Sequence, residues 1–263
     1  MKPAFDVEEL SLDAFLGGRL QLWQPRRGYR AGVDPVLLAA SVPARTGQAV
    51  LELGCGAGAA FLALGARVPG LSLVGLELQP AYADLACRNM LENGVDGQVI
   101  EGDLSAPPAE FRQLQVHHVI ANPPYYRADA HSPSHDPGRR TALREETPLA
   151  DWVDVAARRL VHGGHLHMIQ KADRLPDMLS AIDARLGAVE VLPLSARPSR
   201  SAELVILRAR KGGKTPFRLH APLILHEGDR HERDAEHYRP AIRAVLRDGA
   251  ALPWPESGRP AHR

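Results

Sequence analysis

The sequence predicts an α/β fold in which a mostly parallel, seven-stranded sheet carries helices on both faces. Two observations support this prediction: short apolar runs of strand length recur along the chain, and segments with helical periodicity separate them. The 263 residues are 44% hydrophobic, which is enough to bury a substantial core. The predicted strands cover residues 49–53, 71–76, 97–101, 117–121, 165–170, 189–194 and 203–210.

Helices are predicted before the first strand and between most of the later ones. The first begins at Asp34-Pro35, because aspartate caps a helix well and proline suits its first position. The helix after the second strand ends at Asn93-Gly94, a pair typical of a helix C-terminus. The predicted helices cover residues 34–40, 59–68, 80–92, 149–160 and 175–186.

These elements divide the chain into three predicted regions. Residues 48–211 form the core, into which a loop rich in Pro, His, Asp and Arg is inserted at 126–147. Residues 1–47 show no clear alternation of strands and helices, and we expect them to form an N-terminal extension that packs on the core. Residues 212–263 form a C-terminal extension whose tail, from Ala250 onward, is expected to be flexible.

Charge and composition narrow the classes of function. The formal net charge is only +1, so any nucleic-acid partner must be held by local basic patches. The two cysteines, Cys55 and Cys87, are too few for a disulfide-dense scaffold, and we expect reduced thiols. The first residues lack the pattern of a signal peptide, and no apolar run reaches the ~20 residues needed to span a bilayer. We therefore expect a cytoplasmic protein with no membrane partner.

A glycine loop joins the first predicted strand of the core to the helix that follows it. The loop contains Gly54, Cys55, Gly56 and Gly58. Glycines let the backbone turn sharply and approach a ligand closely, and the helix N-terminus offers unpaired N–H groups. With Ala59, the spacing also satisfies a dinucleotide-binding pattern. The loop alone therefore leaves both NAD and S-adenosylmethionine (SAM) open.

Acidic residues end three successive strands; they support an adenosine-containing cofactor, and the first of them favours SAM over NAD. Glu52 precedes the glycines, where it could accept a hydrogen bond from the cationic methionine part of SAM but would repel a pyrophosphate. Glu77 suits the two ribose hydroxyls, and Asp103 suits the adenine amino group. We assign these acids to the cofactor site together with Leu78 and Leu104, which follow two of them.

A rigid tetrapeptide, Asn122-Pro123-Pro124-Tyr125, directly follows the fourth predicted strand. The prolines fix φ and restrict the residue before each, so the carbonyls point in set directions. The Asn122 side-chain oxygen and the Pro123 carbonyl can together accept two N–H bonds from an exocyclic amino group, and Tyr125 offers a face for stacking a base. We assign Asn122, Pro123 and Tyr125 as catalytic, with Asn122 also beside the cofactor. We expect positioning of the amino group, without a strong general base, to drive transfer of a methyl group from SAM to it.

These motifs resemble those of class I SAM-dependent N-methyltransferases over residues 50–210. That class includes DNA adenine, rRNA guanine, tRNA adenine and glutamine methyltransferases. The resemblance implies a Rossmann-like sheet with a final antiparallel strand, SAM as the cofactor, and methylation of an amino or amide nitrogen.

Three flanking segments are similar to the bacterial valine-tRNA (adenine-N6) methyltransferase family: residues 15–20, 28–38 and 222–226. This similarity implies an adenine beside the anticodon of a tRNA as the acceptor. The long insert at 127–147 departs from that family and leaves the recognised RNA loop open. Two alternatives remain: a protein-glutamine N5-methyltransferase acting on a release factor, which usually carries a helical domain before the core, and an rRNA guanine-N2 methyltransferase.

Local basic clusters agree with an RNA partner, most of all tRNA. One cluster lies near Trp23 and Tyr29, so that it could hold phosphates while the rings stack on bases. The other lies in the insert just beyond the tetrapeptide. The residues assigned to RNA contact are Arg26, Arg27, Arg30, Arg139 and Arg140.

The histidines around the fifth strand could supply some of the ligands of a metal ion but not a complete set. His162, His165 and His167 have no cysteine or carboxylate at a spacing that completes a tetrahedral set, so we expect no metal. The sequence leaves the oligomeric state open and favours a monomer.

Overall fold

A computed structural model describes residues 5–125, 147–228 and 237–255. Its helices in chain order are α1 (Asp34–Ser41), α2 (Ala59–Arg67), α3 (Pro80–Glu92), α4 (Ala109–Arg112), α5 (Leu149–Arg159), α6 (Leu175–Ala181) and α7 (Pro240–Asp248). Its strands are β1 (Leu10–Phe15), β2 (Leu20–Pro25), β3 (Ala49–Leu53), β4 (Ser72–Glu77), β5 (Gly97–Glu101), β6 (Val116–Ala121), β7 (Leu160–Lys171), β8 (Leu186–Ser195), β9 (Leu204–Lys211), β10 (Arg218–Leu219) and β11 (Leu223–Ile224).

Nine of these strands form the central sheet of the described residues. Their spatial order is β10-β8-β9-β7-β6-β3-β4-β5, with β11 also paired to β8. The strands from β7 through β6, β3 and β4 to β5 are parallel, whereas β9 runs antiparallel to both β7 and β8. All seven predicted strands lie in this sheet, and the predicted α/β class with an antiparallel strand is confirmed. The added strands β10 and β11 have only two residues each, too few to give a periodic pattern in the sequence.

The core lies on both faces of the sheet, because successive residues of a strand point to opposite sides. Val50 and Ile120 belong to an apolar cluster that includes residues of α1, α2 and α3. Their neighbours Leu51 and Val119 belong to a second cluster, which includes residues of α4, α5 and α6. Because the central strands are buried on both faces, the sequence reads there as continuous apolar runs.

The N-terminal segment contains a β-hairpin that the sequence analysis missed. Strands β1 and β2 pair antiparallel through a turn at Leu16–Gly18, where Gly17 and Gly18 have positive φ angles. The hairpin lies on α3, since the Trp23 N–H donates to Asn89 Oδ1 over 2.8 Å. Asn89 Nδ2 donates in turn to the carbonyls of Trp23 and Ala57, at 3.0 and 2.9 Å.

Two local predictions differ from the structure. Helix α6 ends at Ala181 instead of Leu186, because Asp183 accepts the Arg185 N–H and forms a turn before β8. Residues 250–255 do not fray, because Leu252 is buried and its N–H donates to the Ala40 carbonyl over 2.8 Å. The rest of the predicted tail, residues 256–263, lies outside the described residues.

Candidate active site

The candidate site lies where the parallel strands β6, β3, β4 and β5 end. Leu53 pairs with Leu76 of β4 on one side and with Ala121 of β6 on the other. The glycine loop after β3 and the tetrapeptide after β6 therefore leave the sheet side by side. This edge of an open parallel sheet is where ligands bind in α/β proteins.

The glycine loop has a backbone that only glycine adopts without strain. Gly54, Gly56 and Gly58 have φ angles of +62°, +54° and +88°. A Cβ at Gly54 would lie 2.7 Å from the Trp152 ring, and one at Gly58 would lie 3.0 Å from the Phe61 ring. Trp152 and Phe61 therefore pack closely against Gly54 and Gly58. At Gly56, where a Cβ would meet nothing closer than the Tyr29 ring at 3.8 Å, there is room for a ligand.

Cys55 fixes the middle of this loop to the neighbouring strand. Its N–H donates to the Leu76 carbonyl over 3.0 Å, and its buried sulfur lies against Gly75, where a Cβ would be 2.6 Å away. Burial, followed by the charges of Glu52 and Glu77, holds the pKa of the Cys55 thiol well above its usual value. Cys55 is therefore a small packing residue and not a thiolate.

Glu77 ends β4 and is itself organised by the glycine loop. Its Oε2 accepts the Gly56 N–H over 2.8 Å, and its Oε1 accepts the Gln79 N–H over 2.9 Å. Burial raises the pKa of Glu77, although these backbone hydrogen bonds oppose the rise. Each carboxylate oxygen keeps a further lone pair, so Glu77 can accept both hydroxyls of a ribose.

Glu52 is buried in β3, directly before the glycines. Its Oε2 accepts the Phe61 N–H over 2.8 Å, at the start of α2. Burial, together with the nearby charge of Glu77, raises the pKa of Glu52 to about 8 despite that hydrogen bond. A cation bound beside this carboxyl would favour its ionised form.

The remaining predicted cofactor residues follow β4 and β5. Asp103 Oδ1 accepts hydrogen bonds from the N–H and the hydroxyl of Ser105, at 2.7 and 2.8 Å. Leu104 is buried in the second apolar cluster, whereas Leu78 is half exposed. Asp103 keeps its second carboxylate oxygen for a ligand, and Leu78 offers an apolar surface at the same edge.

Asn122 presents an acceptor without a partner. Its Oδ1 is buried and makes no hydrogen bond within the part of the chain that the structure describes. Its Nδ2 points to the Tyr29 hydroxyl at 3.4 Å. This contact orients the amide, and the Oδ1 that it leaves over is an acceptor suited to an N–H group.

Gln170, at the end of β7, fixes the proline carbonyls of the tetrapeptide. Its fully buried Nε2 lies 3.1 Å from the Pro123 oxygen and 3.3 Å from the Pro124 oxygen. Its Oε1 accepts the Lys171 N–H over 2.9 Å, which sets which end of the amide faces the prolines. The Pro123 oxygen retains a second lone pair for another donor.

The Tyr125 ring is held at its far end. Its hydroxyl donates to Asp34 Oδ2 over 2.5 Å, and the Lys171 Nζ lies 5.8 Å from the ring centre. Burial, followed by the hydrogen bond and charge of Asp34, raises the pKa of Tyr125 far above its usual value. The ring is therefore a neutral, fixed plate.

The predicted RNA contacts are only partly near this edge. Arg30 pairs with Asp13 over 2.5 Å and donates to the Ser11 hydroxyl, so it holds the β1–β2 hairpin to the following loop. The Arg26 Nε donates to the Glu8 carbonyl, and Arg27 is exposed. Arg139 and Arg140 lie outside the described residues.

Four residues contact the glycine loop or the tetrapeptide and carry no local signal of this in the sequence: Tyr29, Asp34, Trp152 and Gln170. Each reaches the site through packing between segments that are distant along the chain. Over residues 5–125, 147–228 and 237–255, no group of three or more His, Cys, Asp or Glu side chains could hold a metal ion. No helix in those ranges is long and apolar enough to cross a bilayer.

These residues fit SAM. The loop offers a cradle that Cβ atoms would fill, two buried carboxyls suit a ribose and a cation, and the Asn122 acceptor lies beside them. The fold and the site together define the chain as a SAM-dependent methyltransferase. The chain belongs to the methyltransferase small domain family, which matches residues 31–196.

Known proteins resemble the chain over most of its length. It is 29% identical over 200 residues to the tRNA1(Val) (adenine(37)-N6)-methyltransferase of Porphyromonas gingivalis, with 69% of this chain and 76% of that protein covered. It is 27% identical over 216 residues to ribosomal RNA small subunit methyltransferase C of Escherichia coli, covering 80% of this chain and 57% of that protein. The crystal structure of a predicted O-methyltransferase from Agrobacterium tumefaciens, 25% identical, superposes with a TM-score of 0.68 over 83% of this chain and 97% of that one.

Proposed function

We propose that the protein methylates the exocyclic amino nitrogen of an adenine in the anticodon region of a tRNA. The observation that carries this proposal is the buried Asn122 Oδ1, an unpartnered acceptor among the described residues, at the end of β6. The tRNA adenine activity of the Porphyromonas gingivalis relative supports the choice of acceptor.

The glycine loop and the acidic residues would hold the cofactor. Glu77 would accept the ribose hydroxyls, Asp103 would serve the adenine, and the buried Glu52 would serve the cationic end. Bound SAM supplies an electrophilic methyl group. The protein keeps that end of the site dry, because Glu52 and Glu77 are both buried at the sheet edge.

Asn122 and Pro123 would prepare the acceptor nitrogen. An exocyclic amino group is a weak nucleophile, because its lone pair is delocalised into the ring. Two N–H bonds, one to Asn122 Oδ1 and one to the Pro123 carbonyl, draw the nitrogen toward tetrahedral geometry and aim its lone pair at the methyl group. As the new N–C bond forms, the S–C bond of SAM would break and S-adenosylhomocysteine would leave. The methylated nitrogen is then cationic and loses its proton readily to water. The site therefore needs placed acceptors and no strong base.

Tyr125 would stack the base. Asp34 holds its hydroxyl and Lys171 lies over one part of the ring, so the plate cannot rotate freely. Stacking on such a ring contributes ~1–3 kcal/mol per base. An anticodon-loop base is easily splayed from its neighbours, which keeps the cost of presenting it low.

The N-terminal extension, residues 1–47, would meet the RNA next to the site. Arg26 and Arg27 are exposed after β2, and Tyr29 reaches Asn122. Arg30 acts there as a brace for the hairpin, through its ion pair with Asp13. Arg139 and Arg140 complete the predicted contacts from the insert.

A guanine N2 of ribosomal RNA is the second candidate acceptor. The similarity to ribosomal RNA small subunit methyltransferase C supports it, and the same two acceptors would suit a guanine amino group. A hydroxyl acceptor, as in the name of the Agrobacterium tumefaciens protein, has only one hydrogen and would leave one of these acceptors unused.

The test is to incubate the protein with methyl-labelled SAM and, separately, total tRNA, rRNA, and a release factor. Label in tRNA, recovered as N6-methyladenosine after digestion, is expected. Label in rRNA as N2-methylguanosine would transfer the proposal to the second candidate, and label in the release factor alone would reject both.

An Asn122→Ala variant tests the role of the carrying residue. Turnover should fall ~100- to 1,000-fold, which is what losing one placed transition-state hydrogen bond costs, while SAM affinity stays within a few fold. Gln113→Ala, which removes an exposed amide after α4, is the matched control and should keep full activity.

A further inference from the structure

One sheet face changes from apolar to polar toward the edge opposite the active site. The side chains of Ile169, Ile206 and Leu192 form an apolar row across β7, β9 and β8. The next row on the same face, two residues along each strand, contains His167, Arg208 and Glu190, which pair across the strands. Beyond it, His165 pairs with Arg210. The first of these polar rows contains the buried His167 and Glu190, and the second reaches the surface, where Arg210 is exposed.

A cleft of about 350 Å³ lies over these polar rows. It is bounded by β7, β8, β9 and β10 and by the turn after β9. Four of its lining side chains are cationic and one is a carboxylate. The titratable residues of the lining are His165, Glu190, Arg208, Arg210, Lys214 and Arg218.

The single carboxylate of the lining engages two of its cations. Glu190 Oε2 accepts hydrogen bonds from Arg208, His220 and Trp254, each at 2.9 Å, and Arg218 Nη1 lies 3.9 Å from Glu190 Oε1. Burial alone would raise the pKa of Glu190, but the hydrogen bonds from His220 and Trp254 and the charge of Arg208 lower it. One carboxylate offsets only one positive charge, so the lining keeps an excess of cations.

Two of those cations are presented outward at the mouth of the cleft. Arg210 and Lys214 are both exposed, and the Arg210 Nε donates to the Gly163 carbonyl over 3.2 Å. That hydrogen bond anchors the guanidinium by one nitrogen beside Gly163 of β7. His165, between Arg208 and Arg210, has its pKa lowered to about 4 by burial and by these two charges. It is a neutral group that can donate to an anion.

We propose that this cleft binds backbone phosphates of the RNA substrate, as a second contact remote from the reacting base. His165 lies five residues before Gln170 on β7, a separation of ~16 Å along the strand. A structured RNA covers that distance in about five base pairs, at ~3.4 Å of helix axis per pair, whereas a trinucleotide bound at the tetrapeptide does not reach the cleft. The inference rests on the proposed RNA acceptor and adds where the rest of that RNA is held.

The test compares binding of full-length tRNA and of a trinucleotide centred on the acceptor adenine at several salt concentrations. The double variant Arg210→Gln/Lys214→Gln should bind full-length tRNA about tenfold more weakly. The slope of log Kd against log salt should become shallower by about two, because two phosphate contacts are lost. Its affinity for the trinucleotide, its kcat and its SAM affinity should equal those of the unmodified protein.

Arg45→Gln is the matched control, since Arg45 is an exposed arginine before β3 and outside the cleft. If the double variant binds full-length tRNA like Arg45→Gln, the cleft does not hold RNA. If it loses affinity for the trinucleotide by the same factor, the effect belongs to the active-site edge, and the inference is wrong.

A small anion could carry the same chemistry, and inorganic phosphate is the probe for it. Phosphate at low millimolar concentration that shifts the His165 NMR signals, with unaltered tRNA binding by the double variant, would assign the cleft to a small anion and overturn the RNA contact. If rRNA and not tRNA is methylated, the proposed acceptor fails separately. The same comparison is then made with an rRNA fragment and with a trinucleotide centred on its acceptor guanine.

Discussion

The Tyr125 hydroxyl donates to Asp34 Oδ2 over 2.5 Å and so joins the tetrapeptide after β6 to the first turn of α1. The two residues are 91 positions apart in the chain. This contact fixes the Tyr125 ring at the end distant from its backbone. The ring is therefore held at both ends.

Removing that hydroxyl should affect catalysis more than binding. Tyr125→Phe keeps the stacking face but frees the ring, and we expect kcat to fall about tenfold, the equivalent of one hydrogen bond to a charged group. Tyr125→Leu also removes the face and should raise the Kd for RNA by a further ~10-fold or more. Equal RNA affinities for the two variants would show that no base stacks there.

Gln170 is expected to act as a positioning residue through the proline carbonyls. Gln170→Leu removes both hydrogen bonds, and kcat should fall ~10- to 100-fold while the Kd for SAM changes less than about twofold. Gln170→Glu provides the sharper readout, because only its protonated carboxyl can donate to a carbonyl.

Activity of Gln170→Glu, relative to the unmodified protein, should therefore decline as the pH rises through the pKa of the introduced buried carboxyl. Gln170→Leu should show a constant ratio across the same pH range. A flat profile for both variants would mean that Gln170 serves packing alone.

Glu77 should dominate cofactor affinity. Glu77→Gln replaces one acceptor oxygen by a donor that faces a backbone N–H, and we expect the Kd for SAM to rise ~10- to 100-fold. Asp103→Asn keeps an acceptor at its site and should raise the Kd less than ~10-fold. Isothermal titration calorimetry on both variants, with thermal melts to check folding, makes the comparison; a larger effect at Asp103 would contradict the ribose assignment.

Glu52 should couple SAM binding to proton release. Its pKa of about 8 in the free protein means that the carboxyl is mostly protonated at pH 7, whereas a bound cation favours the ionised form. SAM affinity should therefore rise with pH and level off above about 8, and calorimetry in buffers of different ionisation enthalpy should detect proton release. Glu52→Gln should bind SAM without that pH dependence.

The same carboxyl has an opposite effect on the free protein. Its pKa is raised on folding from 4.5 to about 8, so its contribution favours folding at low pH and is lost as the pH rises through that interval. In the absence of SAM, Glu52→Gln should flatten the fall in the free energy of unfolding between those pH values. A steeper fall in the variant would show that Glu52 is not buried as an acid.

The sequence predicted the parts of the site that are local in the chain. The glycine loop, the three acids and the tetrapeptide each follow a strand, and the ends of parallel strands meet at one edge by geometry alone. The α/β class followed from the same apolar runs, because strands buried on both faces carry no polar alternation.

What the sequence could not predict depends on contacts between distant segments. Tyr29 and Asp34 reach the tetrapeptide only because α1 packs beside β7, and Gln170 reaches it only because β7 lies next to β6. The hairpin of β1 and β2 is a different case, because the sequence does contain its turn signal, Gly17-Gly18, between the two strands. The cationic cleft arises from cross-strand register, which strand prediction does not give.

Asn89 gives the molecule a mechanical link between its two proposed ligands. One amide nitrogen serves both the Trp23 carbonyl in the hairpin and the Ala57 carbonyl in the glycine loop. A partner that draws the hairpin away from α3 breaks the hydrogen bond from Asn89 to Trp23. The Asn89 amide is then less well fixed for its other hydrogen bond, to Ala57 in the glycine loop. Any such pull is reciprocal by thermodynamic necessity: whatever factor RNA imposes on cofactor affinity, the cofactor imposes on RNA.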